Sequence, residues 1–283
     1  MMSNTYAGVE DEYGVYDTAK VLLQPITYDG TSTFAKGADR GPAAFLHASE
    51  NMELFDIETR SEVYKQGVHV LPSITEASSP EKVFEAIYAK TKELIKTGKF
   101  LTFFGGEHSV SIGILKAHYE HYKGLSILQL DAHTDLRPEF HGSPYNHACA
   151  VYDSSKNANL VQVGIRSMDV TEMEHVVEDK CFWAHEMEGN EDWMDASIAK
   201  LGKQVYITLD LDVFDPSFMP GTGTPEPGGM QWYTTLKYLR RVFTERDVVG
   251  FDIVELIPIM GDPSSEFIAA KLYYKMLTYK FEL

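Results

Sequence analysis

The chain has 283 residues, of which 44% are hydrophobic and 24% charged, so it is long enough to bury a sizeable core. Its net charge of −17, from 25 Lys and Arg against 42 Asp and Glu, argues against nucleic acid and anionic membranes as partners, because both attract basic surfaces. Two cysteines, Cys149 and Cys181, are too few for a disulfide framework. With no signal-peptide pattern and no stretch long enough to span a membrane, we expect a cytoplasmic protein.

Short apolar runs recur along the chain and predict buried strands, because a run that is apolar on both faces fits a parallel sheet covered on two sides. Segments with helical spacing lie between the runs, among them Glu81–Thr97, Trp232–Phe243 and Ser264–Tyr279, the last opening with a serine that can cap it. The alternation predicts a single domain, residues 1–283, built as a doubly wound parallel α/β sheet with helices on both faces. The predicted strands are Val21–Pro25, Phe100–Phe104, Leu125–Leu130, Leu160–Val163, Val205–Leu211 and Val248–Val254.

The first candidate functional residue follows the strand Phe100–Phe104. Two glycines, Gly105 and Gly106, allow a sharp turn there, and His108 comes next but one. Ligands of parallel sheets bind beyond the carboxyl ends of the strands, so His108 is in the right place. Taken alone, however, a capped turn with a half-buried imidazole explains this segment more simply.

Three metal-competent side chains follow the strand Leu125–Leu130. Asp131, His133 and Asp135 stand two residues apart, which places them on one side of an extended segment. Two carboxylates at the end of a fully apolar strand would repel each other and be costly to desolvate, unless a dication lies between them. The segment therefore predicts metal ligation rather than a solvated acidic turn.

The strand Val205–Leu211 carries a second pair of acids, Asp210 and Asp212, which also share a face. Asp215 precedes a proline and is expected to shape the turn rather than to bind metal. The Pro- and Gly-rich stretch Met219–Met230 lies within a strand-to-helix connection, so an active-site loop is favoured over a linker.

Together these motifs bring four carboxylates and two imidazoles to one edge of the predicted sheet. Ligation that is rich in oxygen suits Mn²⁺ better than Zn²⁺. The set is larger than one ion needs and matches two divalent ions roughly 3.5–4 Å apart. The candidate ligands are His108, Asp131, His133, Asp135, Asp210 and Asp212.

At this point the sequence resembles the ureohydrolases, the family of arginase, agmatinase and their relatives. The likeness extends over most of the chain, in the order and spacing of that family. It rests on GGEHS at 105–109, DAHTD at 131–135, DLDVFDP at 210–216, GADRGP at 37–42, VGIRS at 163–167 and FDIVELIP at 251–258.

The resemblance implies an arginase-like fold, homo-oligomers (commonly trimers or hexamers) and two Mn²⁺ ions per chain. One ion would be bound by His108, Asp131, Asp135 and Asp210, and the other by Asp131, His133, Asp210 and Asp212. Asp131 and Asp210 would then bridge the pair, and Asp135 would accept the proton of the attacking hydroxide.

The resemblance also implies two substrate-binding catalytic residues. Glu255 matches the glutamate that pairs with a guanidinium group, although an ordinary strand-end carboxylate is the alternative interpretation. His147 matches the histidine that shuttles a proton near the leaving amine. Asn146 departs from the Ser or Asp that agmatinases often have before that histidine, and His141 is a nearby competitor for the role.

The leading substrate implied by the resemblance is agmatine, a small cationic guanidino compound, which would give putrescine and urea. The GIRS and ELIP segments favour agmatinase, and Leu136–Phe140 replaces the polar loop with which arginases hold an α-amino acid. Guanidinobutyrase, guanidinopropionase and formimidoylglutamase remain alternatives. The first two would need a basic pocket for a carboxylate tail, for which Arg40, Arg137 and Arg166 are candidates.

Three interpretations from other classes stay open. A single-metal deacylase of related fold would leave Asp131 and Asp210 without a bridging task. A non-catalytic paralogue predicts a broken ligand set, whereas no ligand is missing here. A purely structural oligomer leaves the clustered carboxylates unexplained.

Overall fold

A computed structural model describes residues 5–283, and the core of this part of the chain is one parallel sheet of eight strands. They are β1 Val21–Pro25, β2 Val68–Val70, β3 Phe100–Phe104, β4 Ser126–Leu130, β5 Asn159–Ile165, β6 Cys181–Trp183, β7 Gln204–Asp210 and β8 Asp247–Val254. Their order across the sheet is β2-β1-β3-β8-β7-β4-β5-β6. The predicted parallel sheet is confirmed.

Helices cover both faces of the sheet, as predicted. They are α1 Gly41–Ser49, α2 Pro80–Ile95, α3 Val110–His121, α4 Tyr152–Asn157, α5 Ala184–Met187, α6 Asp192–Lys200, α7 Trp232–Glu245 and α8 Ser264–Phe281. Side chains of α1, α7 and α8, such as Phe45 and Tyr273, form one core cluster, and side chains of α2 and α3, such as Ile87 and Ile114, form another. No helix in residues 5–283 is both long enough and apolar enough to cross a membrane.

The differences from prediction lie at the edges of the sheet, in several helices and at one helix start. Strands β2 and β6 have only three residues each, too few to show a periodic pattern, and were not predicted. The predicted helical segments correspond to α2, α7 and α8, whereas the other five helices were not predicted. The expected serine cap of α8 is wrong. Ser264 is already the first helical residue, and its backbone N–H donates instead to Oδ1 of Asp262 at 3.0 Å.

The four central strands, β3, β8, β7 and β4, end side by side and so define where a site can form. After β3 the chain turns against the segment that follows β1. A Cβ on Gly106 would lie 1.8 Å from the carbonyl oxygen of Tyr28, so only glycine fits there. This close approach sets the exit direction of the segment that carries His108.

Candidate metal centre and substrate cavity

The six candidate ligands come from three of the central strands and lie together at their carboxyl ends. Nδ1 of His108 is 3.1 Å from Oδ2 of Asp131, 3.0 Å from Oδ2 of Asp135 and 3.4 Å from Oδ2 of Asp210. All four side chains are buried. His108, Asp131 and Asp135 offer atoms that lie within 4.8 Å of one another, the spacing of a metal site.

A second group of ligands shares Asp131 with the first. Nδ1 of His133 lies 2.9 Å from Oδ2 of Asp212 and 3.7 Å from Oδ1 of Asp131. The atoms of this group also fit within 4.8 Å. Asp210 stands beside both groups, and its Oδ1 accepts the backbone N–H of Asp212 at 2.8 Å. The carboxylate of Asp131 therefore faces two adjacent candidate metal sites.

The crowded carboxylates shift one another's proton affinities. Burial, followed by repulsion from Asp131, raises the pKa of Asp135 to about 7. Burial also raises the pKa of Asp210 well above its ordinary value, and the charges of Asp212 and Asp131 add to the effect. Burial alone would lower the pKa of His133, but the carboxylates of Asp212 and Asp131 outweigh it and raise the pKa to about 12. In the absence of another cation, protons held by these side chains balance the crowded negative charge.

One buried atom tests whether a metal fits this cluster. Nδ1 of His108 makes no hydrogen bond among the described residues, although three carboxylate oxygens surround it. Its other ring nitrogen, Nε2, lies 3.0 Å from the hydroxyl of Thr208, which donates to Asp252 at 2.8 Å. A hydroxyl with its proton on Asp252 accepts the Nε2 proton, which leaves a lone pair on Nδ1. A lone pair aimed among carboxylates suits a divalent cation.

Five of the six candidate ligands, all except Asp131, line a cavity of about 280 Å³. Glu255 follows β8 and lines this cavity next to Asp210 and Asp212. Its Oε1 accepts the backbone N–H of His108 at 2.8 Å, and burial raises its pKa. Glu255 has a φ of 68° and Asp135 a φ of 50°, both in the left-handed region that side chains rarely adopt. Backbone strain of this kind is concentrated at functional sites.

The two candidate histidines for the proton shuttle, His147 and His141, lie in different environments. His147 is half-buried and lines the cavity, whereas His141 is exposed and does not line it. Burial lowers the pKa of His147 to about 4. Its imidazole is therefore neutral near pH 7, with one ring nitrogen that carries a proton and one that carries a lone pair.

Two residues near His147 were not predicted. Glu107 is completely buried and accepts hydrogen bonds from both the backbone N–H and the hydroxyl of Thr31. The hydroxyl of Thr31 also lies 3.3 Å from Nδ1 of His147. Glu107 stands inside the GGEHS motif, but no local pattern points to Thr31, which is 116 residues from its histidine.

The three arginines that are candidates for a basic tail pocket do not come together in the structure. Arg137 lines the cavity, but its guanidinium lies within 3.4 Å of Asp169 and 3.7 Å of Glu172. The guanidinium of Arg166 donates to backbone carbonyls, including that of Asp212 at 2.6 Å. Arg40 lines a different depression in the surface. Of the three candidates, Arg137 alone lines this cavity, where it is paired with two acids, and Arg40 and Arg166 do not line it.

The expected turn at Asp215 is confirmed. Its carboxylate accepts the backbone N–H groups of Ser217, Gly228 and Gly229 at 2.9–3.1 Å, and so ties down the loop that follows β7. This loop reaches the site as predicted, since Thr224 lines the cavity and Glu226 lies 3.9 Å from His133.

The chain matches the model of the arginase family over residues 19–278, a range that includes every candidate ligand. It is 36% identical to the N(1)-aminopropylagmatine ureohydrolase of Synechocystis sp., with 93% of this chain and 90% of that protein covered. It is 38% identical to a protein of the same name from Thermus thermophilus, with 94% and 92% covered. The solved agmatine ureohydrolase of Thermoplasma volcanium has a TM-score of 0.88 at 26% identity, covering 100% of this chain and 95% of that one.

Proposed function

The chain belongs to the arginase family and is a hydrolase of the ureohydrolase type, and we propose that its substrate is a small cationic guanidino compound related to agmatine. Water adds to the guanidinium carbon, the bond from that carbon to the substituted nitrogen breaks, and urea and an amine leave. The observation that carries the proposal is the pair of candidate metal groups that share Asp131, in a cavity that also contains Glu255.

We propose that two Mn²⁺ ions occupy these groups, with Asp131 and Asp210 shared between them. The ligand set remains the one expected from the sequence, with His108 and Asp135 on one side and His133 and Asp212 on the other. When bound, such a pair supplies positive charge and a water ligand of lowered pKa, which makes attack on the poorly electrophilic guanidinium carbon feasible at neutral pH.

The protein's own residues then orient the substrate and move protons. The carboxylate of Glu255 can hold a planar guanidinium through charge-assisted hydrogen bonds. A carboxylate oxygen of Asp135 can take up a proton as water attacks. The neutral imidazole of His147 can accept a proton and return it to the leaving amine.

The charges around the cavity favour a substrate with a cationic tail. Arg137 is paired with acids and Arg166 with carbonyls, so neither offers a free charge to a carboxylate tail. The carboxylate of Glu226 stands near the cavity, 3.9 Å from His133, and has no ion pair with an arginine or lysine of residues 5–283, so it can attract an ammonium group. This disfavours guanidinobutyrate and guanidinopropionate. Agmatine, the expected substrate, and N(1)-aminopropylagmatine, the substrate named for two relatives, both have such a tail.

A urea-release assay after Mn²⁺ loading tests the substrate class. We expect kcat/KM for agmatine or N(1)-aminopropylagmatine to exceed that for guanidinobutyrate, guanidinopropionate and arginine by at least ~10²-fold, because a carboxylate would lie unpaired among acids. The ranking of the first two compounds identifies the tail. A preference for either carboxylate substrate would contradict the proposed cationic tail.

Exchange of the cavity histidine tests the proton shuttle. His147→Ala should slow kcat by ~10²-fold, the contribution typical of a general acid or base, while metal per chain stays at the wild-type level. The matched control is His141→Ala, which removes an exposed imidazole six residues earlier and should keep the wild-type rate. If the two variants behaved in the opposite way, the role would move to His141.

A further inference from the structure

The hydroxyl group of Thr31 contacts both the buried carboxylate of Glu107 and the histidine of the cavity, His147. It donates to Oε1 of Glu107 at 2.9 Å and accepts the backbone N–H of His147 at 3.0 Å. It also lies 3.3 Å from Nδ1 of the same histidine. The segment after β1, the turn after β3 and the loop after β4 therefore meet at one oxygen atom.

The donors around Glu107 decide where the proton of that hydroxyl lies. The carboxylate accepts the backbone N–H of Ser109 at 2.9 Å, the hydroxyl of Ser109 at 2.7 Å and the backbone N–H of Thr31 at 3.3 Å. A group surrounded by donors in this way acts as an acceptor. The single proton of Thr31 consequently points to Glu107, and its oxygen presents only lone pairs to His147.

A lone pair opposite Nδ1 fixes the histidine's tautomer, because a neutral imidazole has one N–H donor and one acceptor nitrogen. We infer that Thr31 is a positioning residue that holds His147 with its proton on Nδ1, so that Nε2 is the nitrogen that exchanges protons with the cavity. Nε2 makes no hydrogen bond to residues 5–283 in the structure. The inference rests on the proposed shuttle role of His147 and deepens it.

This tautomer of His147 predicts a specific order of proton movement. Nε2 accepts one proton from the cavity, the ring then carries protons on both nitrogens, and Nε2 returns that proton to the leaving amine. The Nδ1 proton stays on its hydrogen bond to Thr31 throughout. Without this contact the ring can rotate or protonate on Nε2, and either change removes the acceptor from the cavity.

Two substitutions of Thr31 distinguish the effect of its hydroxyl from the effect of its side-chain shape. Thr31→Val keeps the side-chain volume and the backbone hydrogen bond to Glu107 but removes the hydroxyl. It should lower kcat roughly tenfold, the effect expected for the loss of one orienting hydrogen bond, and leave KM and metal content unchanged. Thr31→Ser keeps the hydroxyl and should restore kcat to within about threefold of wild type. The control Thr27→Val removes a hydroxyl that donates to Ile74 instead and should leave kcat unchanged.

A double-mutant cycle separates this inference from the function on which it rests. In a His147→Ala background, Thr31→Val should cause no further loss of kcat, because the group that it positions is already absent. An additional tenfold loss there, or wild-type kcat in Thr31→Val alone, would overturn the role of Thr31. A wild-type rate in His147→Ala alone would instead overturn the proposed shuttle.

Discussion

Asp131→Asn is expected to lose bound metal and turnover together. Asp131 is the one residue found in both candidate ligand groups, with Oδ2 3.1 Å from His108 and Oδ1 3.7 Å from His133. An amide removes the negative charge and one of the two oxygen donors. Metal ions stabilise the transition state by several kcal/mol, and each ~1.4 kcal/mol changes the rate by a factor of ten. We therefore expect kcat to fall by ~10³-fold or more. Metal per chain, measured by mass spectrometry, should fall with it.

The matched control is Asp215→Asn. Asp215 follows the same strand as Asp210 and Asp212, but its carboxylate accepts backbone N–H groups of the neighbouring loop and takes no part in either ligand group. It should keep wild-type metal content, whatever it does to the unfolding temperature. If the Asp131→Asn protein retained two ions per chain, the proposal that Asp131 is shared between two metal ions would be contradicted.

Glu255→Gln is expected to keep the metal and lose most of the activity. The oxygen of glutamine can still accept the backbone N–H of His108, so the ligand geometry should survive. The amide cannot form the paired charge-assisted hydrogen bonds to a guanidinium. Removing one such preorganised interaction costs about 2.7–4 kcal/mol, so kcat/KM for agmatine should fall by ~10²–10³-fold.

Metal content and the unfolding temperature of Glu255→Gln are the internal controls, and both should match the wild type. Unchanged kinetics would show that Glu255 is only a strand-end carboxylate. Loss of metal would show that it acts through the ligands rather than on the substrate.

The central strands and the clustering of the candidate ligands could be predicted because the signals are local. A buried strand is a run of apolar residues, and the acids that follow β4 and β7 sit within five residues of the strand end. The rule that parallel strands place their carboxyl ends on one edge then brought His108, Asp131 and Asp210 together without knowledge of the strand order. The observed distances of 3.1–3.4 Å agree with that prediction.

The remainder of the site depends on contacts between distant segments. Thr31 precedes Glu107 by 76 residues and His147 by 116, and it lies in a loop with no periodic pattern. The positions of the three arginines that were candidates for a tail pocket could not be predicted for a related reason. The sequence does not show which group an arginine will contact, and the guanidinium of Arg166 donates hydrogen bonds to backbone carbonyls. Pairing of this kind follows from tertiary structure alone.

The strand order also constrains how the protein is assembled during synthesis. Strand β8 is the last in the chain, yet it lies between β3 and β7 in the middle of the sheet. Until residue 254 has been made, β2-β1-β3 and β7-β4-β5-β6 are two separate ribbons, each with an unpaired edge of backbone N–H and C=O groups. His108 follows a strand of the first group and the other candidate ligands follow or end strands of the second, so the six side chains come together only when the final strand pairs with both groups.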